Sequence, residues 1–151
     1  MKKIEMKPSH WVTDAIKEAE GLRLGTYTCP AGKLTIGYGH TGSDVQANCT
    51  INKEQAEAQL QRDISQFAGQ INLLLVWGVT QGQFDALCSF VFNLGIGALK
   101  GSTLLRKLES DDVQGAADEF LRWDKAHVKG ELVRLPGLTK RRTKERERFL
   151  S

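Results

Sequence analysis

Apolar residues follow a helical spacing along most of this chain and lose it in one segment. Residues 9–20 predict an amphipathic helix, capped by Ser9 and ended by Gly21, because their apolar side chains recur on one helical face. Residues 25–39 mix Gly and Pro with alternating apolar residues, which predicts a hairpin of two or three short strands. Residues 41–51 are predicted to form a loop.

A long helix is predicted after Asn52, which can form a capping box with Gln55. Apolar residues then recur at steps of three or four: Ala56, Leu60, Ile64, Phe67, Ile71 and Leu74. Thr80 and Gln83 repeat the capping pattern before a second apolar stripe: Phe84, Leu87, Cys88, Val91 and Leu94. Shorter helices are predicted near residues 103–109, 112–123 and 137–149. We expect the core to include Trp77, Cys88 and Trp123.

These elements predict a mostly helical α+β fold with two lobes that flank a cleft. We expect one domain over residues 1–151, with a small β lobe at about 22–55. The helical lobe would combine residues 1–21 with about 70–151, and the long helix at about 52–75 would join the two lobes. Clefts between lobes are common substrate sites.

Composition is that of an ordinary soluble protein, with 40% hydrophobic and 26% charged residues. The net charge of +3 is concentrated in residues 136–151, which carry six Lys or Arg and two Glu. We interpret this basic end as a solvated helix face, although it could also assist approach to an anionic polymer. No apolar run reaches the ~18–20 residues of a membrane span, and no secretory signal is visible. Three cysteines are too few for a disulfide scaffold.

The candidate chemistry lies in the stretch EGLRLGTYTCPAGKLTIGYGHTG. Glu20 ends a helix, Cys29 follows on the hairpin, and Thr35 precedes a Gly-rich strand. Glycoside hydrolysis needs a proton donor on one side of the scissile bond and a base, nucleophile or water-positioning group on the other. His40 has no second ligand at metal spacing, so we predict neither a metal nor a cofactor.

The spacing of Glu20, Cys29 and Thr35 resembles the catalytic Glu/Asp/Thr pattern of the phage-type lysozymes, the endolysins of glycoside hydrolase family 24. The resemblance extends to TIGYGHT after the gap, to FNLGIGAL at 92–99 and to LPGLTKRRTKERERFL at 135–150. It thus covers nearly the whole chain. Cys29 departs from the pattern, because most members carry Asp there, and its role is therefore open.

The resemblance implies a muramidase that hydrolyses the β-1,4 bond between N-acetylmuramic acid and N-acetylglucosamine in peptidoglycan. Glu20 would be the general acid, since the negative end of its helix and partial burial both favour a protonated carboxyl. Thr35 would hold a water. Cys29 could act as a thiolate, orient a water, or have only a structural role.

Substrate contacts are predicted for Tyr38, His40 and Asn93. For His40 we favour a structural hydrogen bond to a carboxylate that ties the hairpin to the helical lobe. The amide of Asn93 could bind a sugar or cap a helix end. We also consider a disulfide between Cys29 and Cys49 that would couple activity to oxidation.

The implied partner is bacterial peptidoglycan, reached from the cytoplasm of an infected cell after a holin permeabilises the membrane. We expect a monomer that neither binds nucleic acid nor inserts into a membrane. Two rival functions remain: a lytic transglycosylase, which also uses a single Glu, and a non-catalytic cell-wall-binding module on a lysozyme fold.

Overall fold

A computed structural model describes residues 2–29 and 32–151. The helices are α1 (His10–Glu20), α2 (Lys53–Leu74), α3 (Gln81–Leu94), α4 (Ile96–Lys100), α5 (Thr103–Glu109), α6 (Val113–Glu119) and α7 (Pro136–Leu150), with a 3₁₀ turn at Phe120–Arg122. The strands are β1 (Arg23–Thr28), β2 (Leu34–Gly37), β3 (His40–Thr41), β4 (Lys125–Val128) and β5 (Glu131–Arg134). The predicted mostly helical α+β class is confirmed.

Helix starts follow the predicted caps. The Ser9 side chain accepts from the Trp11 amide at the start of α1. Capping boxes at Asn52–Gln55 and at Thr80–Gln83 begin α2 and α3, and each satisfies two backbone amides that a helix start leaves unpaired.

Two antiparallel sheets flank the helices. The first has the order β1-β2-β3, with Tyr27 opposite Thr35 and Ile36 opposite His40. The second is the β4–β5 hairpin, which the sequence analysis does not anticipate. Its turn places Lys129 and Gly130 at positive φ, as a tight two-residue hairpin turn requires.

Helix α3 is the centre of the core. Every residue from Gly82 to Val91 is buried, and the helix packs against α1, α2 and α7. Cys88 is buried as predicted, and the Trp123 ring meets Phe90 edge to face at 5.4 Å. The prediction for Trp77 is wrong, because this side chain is 60% exposed in the turn between α2 and α3.

The interpretation of the basic end as a solvated face holds only in part, because the Lys140 side chain is 72% exposed whereas two of the six basic residues are buried. In α7, Arg141, Arg142 and Glu145 are buried and form a cluster against α3. Burial lowers the pKa of Arg142 to about 10, which leaves it charged at neutral pH. Its Nε lies 2.8 Å from Glu145 Oε1, an ion pair that offsets the cost of removing both charges from water.

Within residues 2–29 and 32–151, no helix has the length and apolarity to cross a membrane.

Candidate active site

Glu20 is the last residue of α1 and leads directly into the sheet. Gly21 ends the helix at a φ of 67°, and β1 begins at Arg23. The Glu20 side chain is 22% exposed, so it is neither enclosed in the apolar core nor fully in water. The helix end therefore delivers a carboxylate to the junction of helices and sheet, as predicted.

The turn between β2 and β3 lies directly against this carboxylate. A Cβ atom added to Gly39 would stand 2.6 Å from Glu20 Oε2, closer than atoms tolerate, and Gly39 has a φ of 75°. Only glycine combines this backbone conformation with so close an approach. Gly37, also at positive φ, leaves room in the same way for Gln59 of α2.

Arg141 of α7 holds the other side of the carboxylate. Its Nη1 donates to Glu20 Oε1 at 2.8 Å across 121 residues of sequence. The Arg141 side chain is only 9% exposed, so water screens this pair weakly. The contact fixes the position of the Glu20 oxygens. Sequence reasoning did not single out Arg141, although it lies inside the segment that carries the C-terminal resemblance.

Cys29 and Thr35 meet at one backbone carbonyl. The Cys29 amide donates to the Lys33 carbonyl oxygen at 2.9 Å, and the Thr35 hydroxyl donates to the same oxygen at 3.0 Å. Thr35 is 2% exposed, and its hydroxyl retains lone pairs that can accept a hydrogen bond. The hairpin thus brings together the two residues predicted to act opposite Glu20.

Tyr27 links these groups electrostatically. Burial raises the pKa of its hydroxyl, the charge of Glu20 raises it further, and Cys29 adds a smaller effect in the same direction. Arg23 stacks over the Tyr27 ring at 4.6 Å and opposes the shift. Tyr27 therefore lies within electrostatic range of both Glu20 and Cys29. Sequence analysis placed Tyr27 in the hairpin but gave it no role in the site.

A cavity of about 490 Å³ opens beside Glu20 between α1 and α7. Its walls include Trp11, Ala15 and Ala19 from α1, and Leu138 and Arg141 from α7. Small side chains on α1 leave this space unfilled. The described lining comes from the helices and Leu135, so the cavity reaches Glu20 from the α7 side, while Gly39 faces it from the sheet side.

His40 hydrogen-bonds a carboxylate, as the structural interpretation predicts, but that carboxylate lies on α2, the helix expected to join the lobes, and not in the helical lobe. Its Nδ1 lies 2.7 Å from Asp63 of α2, and its Nε2 lies 3.0 Å from Asp44. Burial by itself lowers the pKa of His40, but the two carboxylates outweigh burial and the net pKa is raised. The protonated imidazole is thus the form that the fold stabilises.

Tyr38 is buried away from the cavity. Its hydroxyl lies 3.4 Å from Glu57 of α2, and Lys17 of α1 covers its ring at 5.2 Å. Lys17 and Glu57 pair at 2.5 Å over the same site. The structure therefore places Tyr38 in the joint between α1, the sheet and α2, and not on the cavity wall.

Asn93, a half-buried residue of α3, contacts the buried cluster of α7. Its Oδ1 accepts a hydrogen bond from Arg142 Nη2 at 2.8 Å. The amide oxygen therefore binds α7 and does not cap a helix end. Glu145 accepts from the Ser89 hydroxyl at 2.5 Å, which links the same cluster to α3. These contacts hold α7 on α3, and α7 in turn carries Arg141.

Cys49 carries a free thiol, so the Cys29–Cys49 disulfide considered from the sequence is not formed. Its carbonyl accepts from the Thr26 amide at 2.9 Å, which fixes the loop beside β1. Among residues 2–29 and 32–151, no group of three or more His, Cys, Asp or Glu is arranged to hold a metal ion.

Comparisons with known proteins agree with this geometry. The family model described as Phage lysozyme matches residues 17–145. The chain is 48% identical over 136 residues to an endolysin of Acyrthosiphon pisum secondary endosymbiont phage 1, covering 90% of this chain and 92% of that one. It is 49% identical over 138 residues to an endolysin of Bacillus phage B103, of which it spans 51%.

A solved endolysin from Escherichia coli O157:H7 phage FAHEc1 superimposes with a TM-score of 0.89. The two are 37% identical, and the match covers 99% of this chain and 96% of that structure. The family match spans both the Glu20 hairpin and the Arg141 segment of α7. The chain belongs to the phage lysozyme family.

Proposed function

We propose that this protein is a muramidase that hydrolyses the β-1,4 bond between N-acetylmuramic acid and N-acetylglucosamine in peptidoglycan, with Glu20 as general acid. The observation that carries the proposal is the position of Glu20, partly exposed beside a cavity and held between Gly39 and Arg141. A carboxylic acid at such a junction can reach a glycosidic oxygen while α1 and α7 keep it oriented.

Arg141 has a positioning role in this mechanism. Its Nη1, 2.8 Å from Glu20 Oε1, holds the carboxyl group in place. Glu20 would give its proton to the oxygen of the leaving sugar as the glycosidic bond breaks. Once the sugar oxygen has been protonated, the same guanidinium would stabilise the carboxylate that remains.

Thr35 and Cys29 would act on the opposite face of the sugar. The Thr35 hydroxyl donates to Lys33, so it would use its lone pairs to accept from a water and direct that water toward the anomeric carbon. A Cys29 thiolate would place negative charge near an oxocarbenium-like transition state. Tyr38, His40 and Asn93 would then act on substrate indirectly, by holding the sheet on α2 and α7 on α3.

The decisive experiment replaces Glu20 by Gln, which keeps size and hydrogen bonding but removes the transferable proton. Lysis of permeabilised bacteria should fall by at least about 10²-fold, since general acid catalysis contributes that much or more. Glu18→Gln is the matched control: it lies on α1, lines the same cavity and pairs with Lys144. Near-normal lysis by the Glu20→Gln protein, with native circular dichroism, would refute the assignment.

Product analysis tests the reaction type. Mass spectrometry of digested peptidoglycan should show reducing N-acetylmuramic acid ends, because a water is the final acceptor. An anhydro end would identify a lytic transglycosylase instead.

We also propose that the chain acts as one lysozyme domain, because one continuous set of buried side chains joins α1, α2, α3 and α7. We propose further that it is a monomer. It would accumulate in the cytoplasm of an infected bacterium and reach the wall after a holin opens the membrane. Sedimentation of the purified protein tests whether it is a monomer. Lysis of cells with and without a holin tests the proposed route to the cell wall.

A further inference from the structure

Two buried arginines follow one another on α7 and share one carboxylate. Arg141 is 9% exposed, and Arg142 and Glu145 are fully buried. Glu145 follows Arg141 by four residues and Arg142 by three, which places all three side chains on neighbouring positions of one helix face. The Glu145 carboxylate therefore lies near both guanidinium groups.

The contacts of this carboxylate are divided among three partners. Glu145 Oε1 lies 2.8 Å from Arg142 Nε, and Oε2 lies 3.2 Å from Arg142 Nη2 and 3.9 Å from Arg141 Nε. The Ser89 hydroxyl of α3 donates to the same Oε2 at 2.5 Å. Burial raises the pKa of Glu145. Arg142, Ser89 and Arg141 each oppose that rise, because each favours the charged form.

The Arg141 guanidinium is held by few contacts. Its Nη1 donates to Glu20 at 2.8 Å, and among the described residues neither Nε nor Nη2 has a hydrogen-bond partner. The 3.9 Å contact between Arg141 and Glu145 is an ion pair and not a hydrogen bond, but both side chains are buried, so water screens it weakly. In the part of the chain that the structure describes, Glu20 and Glu145 are the two carboxylates that pair with Arg141.

The cavity beside Glu20 makes this second contact important. Glu20, Arg141 and Glu145 all line the cavity of about 490 Å³, so Arg141 bridges two carboxylates along its wall. A long side chain that borders such a space can turn into it unless its charged end is fixed. Glu20 alone cannot fix that end, because its own position depends on the same contact.

We propose that Glu145 is a positioning residue for the reaction, which holds the Nε side of the Arg141 guanidinium so that Nη1 stays on Glu20. This role is distinct from the contribution that Glu145 makes, with Arg142 and Ser89, to the packing of α7 on α3. It rests on the proposed function of Glu20 as general acid.

The first test is Glu145→Gln, which keeps the shape of the side chain and removes its charge. We expect kcat on soluble peptidoglycan fragments to fall by about tenfold or more, since displacing a catalytic group by an ångström costs about 10²-fold. KM should stay within about threefold, because the loss falls on the transition state. Glu119→Gln is the matched control: Glu119 is 5% exposed on α6 and pairs with Arg122 at 2.8 Å, and its variant should keep both constants.

A double variant separates positioning from folding. Glu145→Gln by itself leaves Arg142 buried without its ion-pair partner, which destabilises the fold. Arg142→Met combined with Glu145→Gln removes the whole pair, an exchange that buried pairs often tolerate. We expect this double variant to regain the Tm that Glu145→Gln loses, while its kcat stays low. Recovery of kcat together with Tm would show that Glu145 serves only the packing of α7, and it would overturn the proposal.

The coupling between Glu145 and Arg141 is a readout that a merely structural role would not move. Arg141→Gln should lower kcat, and adding Glu145→Gln to it should lower kcat no further, because no guanidinium is left to hold. Losses that multiply would overturn the proposal. If Glu20→Gln lyses cells normally, the proposed function and the positioning role both fail. If Glu20→Gln is inactive but Glu145→Gln keeps its kcat, only the positioning role fails.

Discussion

Replacing Gly39 by Ala tests whether the sheet turn positions Glu20. The new methyl group would lie 2.6 Å from Glu20 Oε2 and 2.7 Å from its carboxyl carbon. The carboxylate is the far end of a flexible side chain, so it can move away without unfolding the protein. It would then leave the position between Gly39 and Arg141 that the proposed chemistry requires.

Two magnitudes follow from this geometry. A non-glycine residue at a φ of 75° costs about 1–2 kcal/mol of stability. For a domain of this size that lowers Tm by roughly 2–8 °C. Displacing a catalytic group by an ångström costs about 10²-fold in rate. Activity should therefore fall far more than stability does.

Gly130→Ala is the control that separates the two effects. Gly130 has a φ of 83° in the β4–β5 turn, and nothing lies within 4 Å of an added Cβ. It should lose a similar Tm and keep its activity. The assay is clearing of permeabilised cells well below both Tm values, with melting followed by circular dichroism. If Gly39→Ala stays within about threefold of the unchanged protein, the turn does not hold Glu20 in its working position.

Three further predictions concern other parts of the molecule. Cys29→Ser should lose more lytic activity than Cys29→Asp, because Asp supplies a negative charge; the reverse order would indicate a steric role. The pKa of His40 is raised in the folded protein, so protonation of this residue stabilises the fold. The stabilisation is complete below the unfolded pKa of 6.5 and is lost as the pH rises through the folded pKa. In urea unfolding, His40→Asn should therefore cost more at about pH 5.5 than at about pH 8.5, and a constant cost would contradict the assignment. Phe90→Ala, at a fully buried ring that packs on Phe120, should lower the free energy of unfolding by about 3–5 kcal/mol, whereas exposed Leu132→Ala should change it by less than about 0.5 kcal/mol.

Residues close together in the sequence made the local structure predictable. The capping boxes at Asn52 and Thr80 and the apolar periods of α2 and α3 each depend on residues three or four apart. The β4–β5 hairpin was missed although its Lys129–Gly130 turn is also a local signal. Apolar and polar residues alternate only weakly in its strands, and most of these residues are exposed, so the sequence shows no apolar face.

The exposure of α7 and of Trp77 could not be predicted in the same way. The charged helix was assigned to water, which is wrong for Arg141 and Arg142, and Trp77 was assigned to the core from its apolar surroundings, which is wrong. Arg142 is buried where Glu145 and Asn93 meet it. Glu145 is three residues away on the same helix, but Asn93 lies 49 residues earlier in α3, and that contact has no signal in local spacing. Trp77 is exposed in the turn between the end of α2 and the start of α3.

By itself, the sequence determined the starts and apolar faces of α1, α2 and α3. It also placed Glu20 at a helix end and Cys29 and Thr35 in the hairpin that follows. Helix caps and apolar periods depend on residues within one or two turns, so they do not depend on where the helix packs in the fold. The tertiary structure alone decided what surrounds Glu20: Arg141 reaches it from 121 residues away, and Gly39 approaches within contact. Such contacts arise only when α1, α7 and the sheet pack together, because the distance between them is set by the whole core.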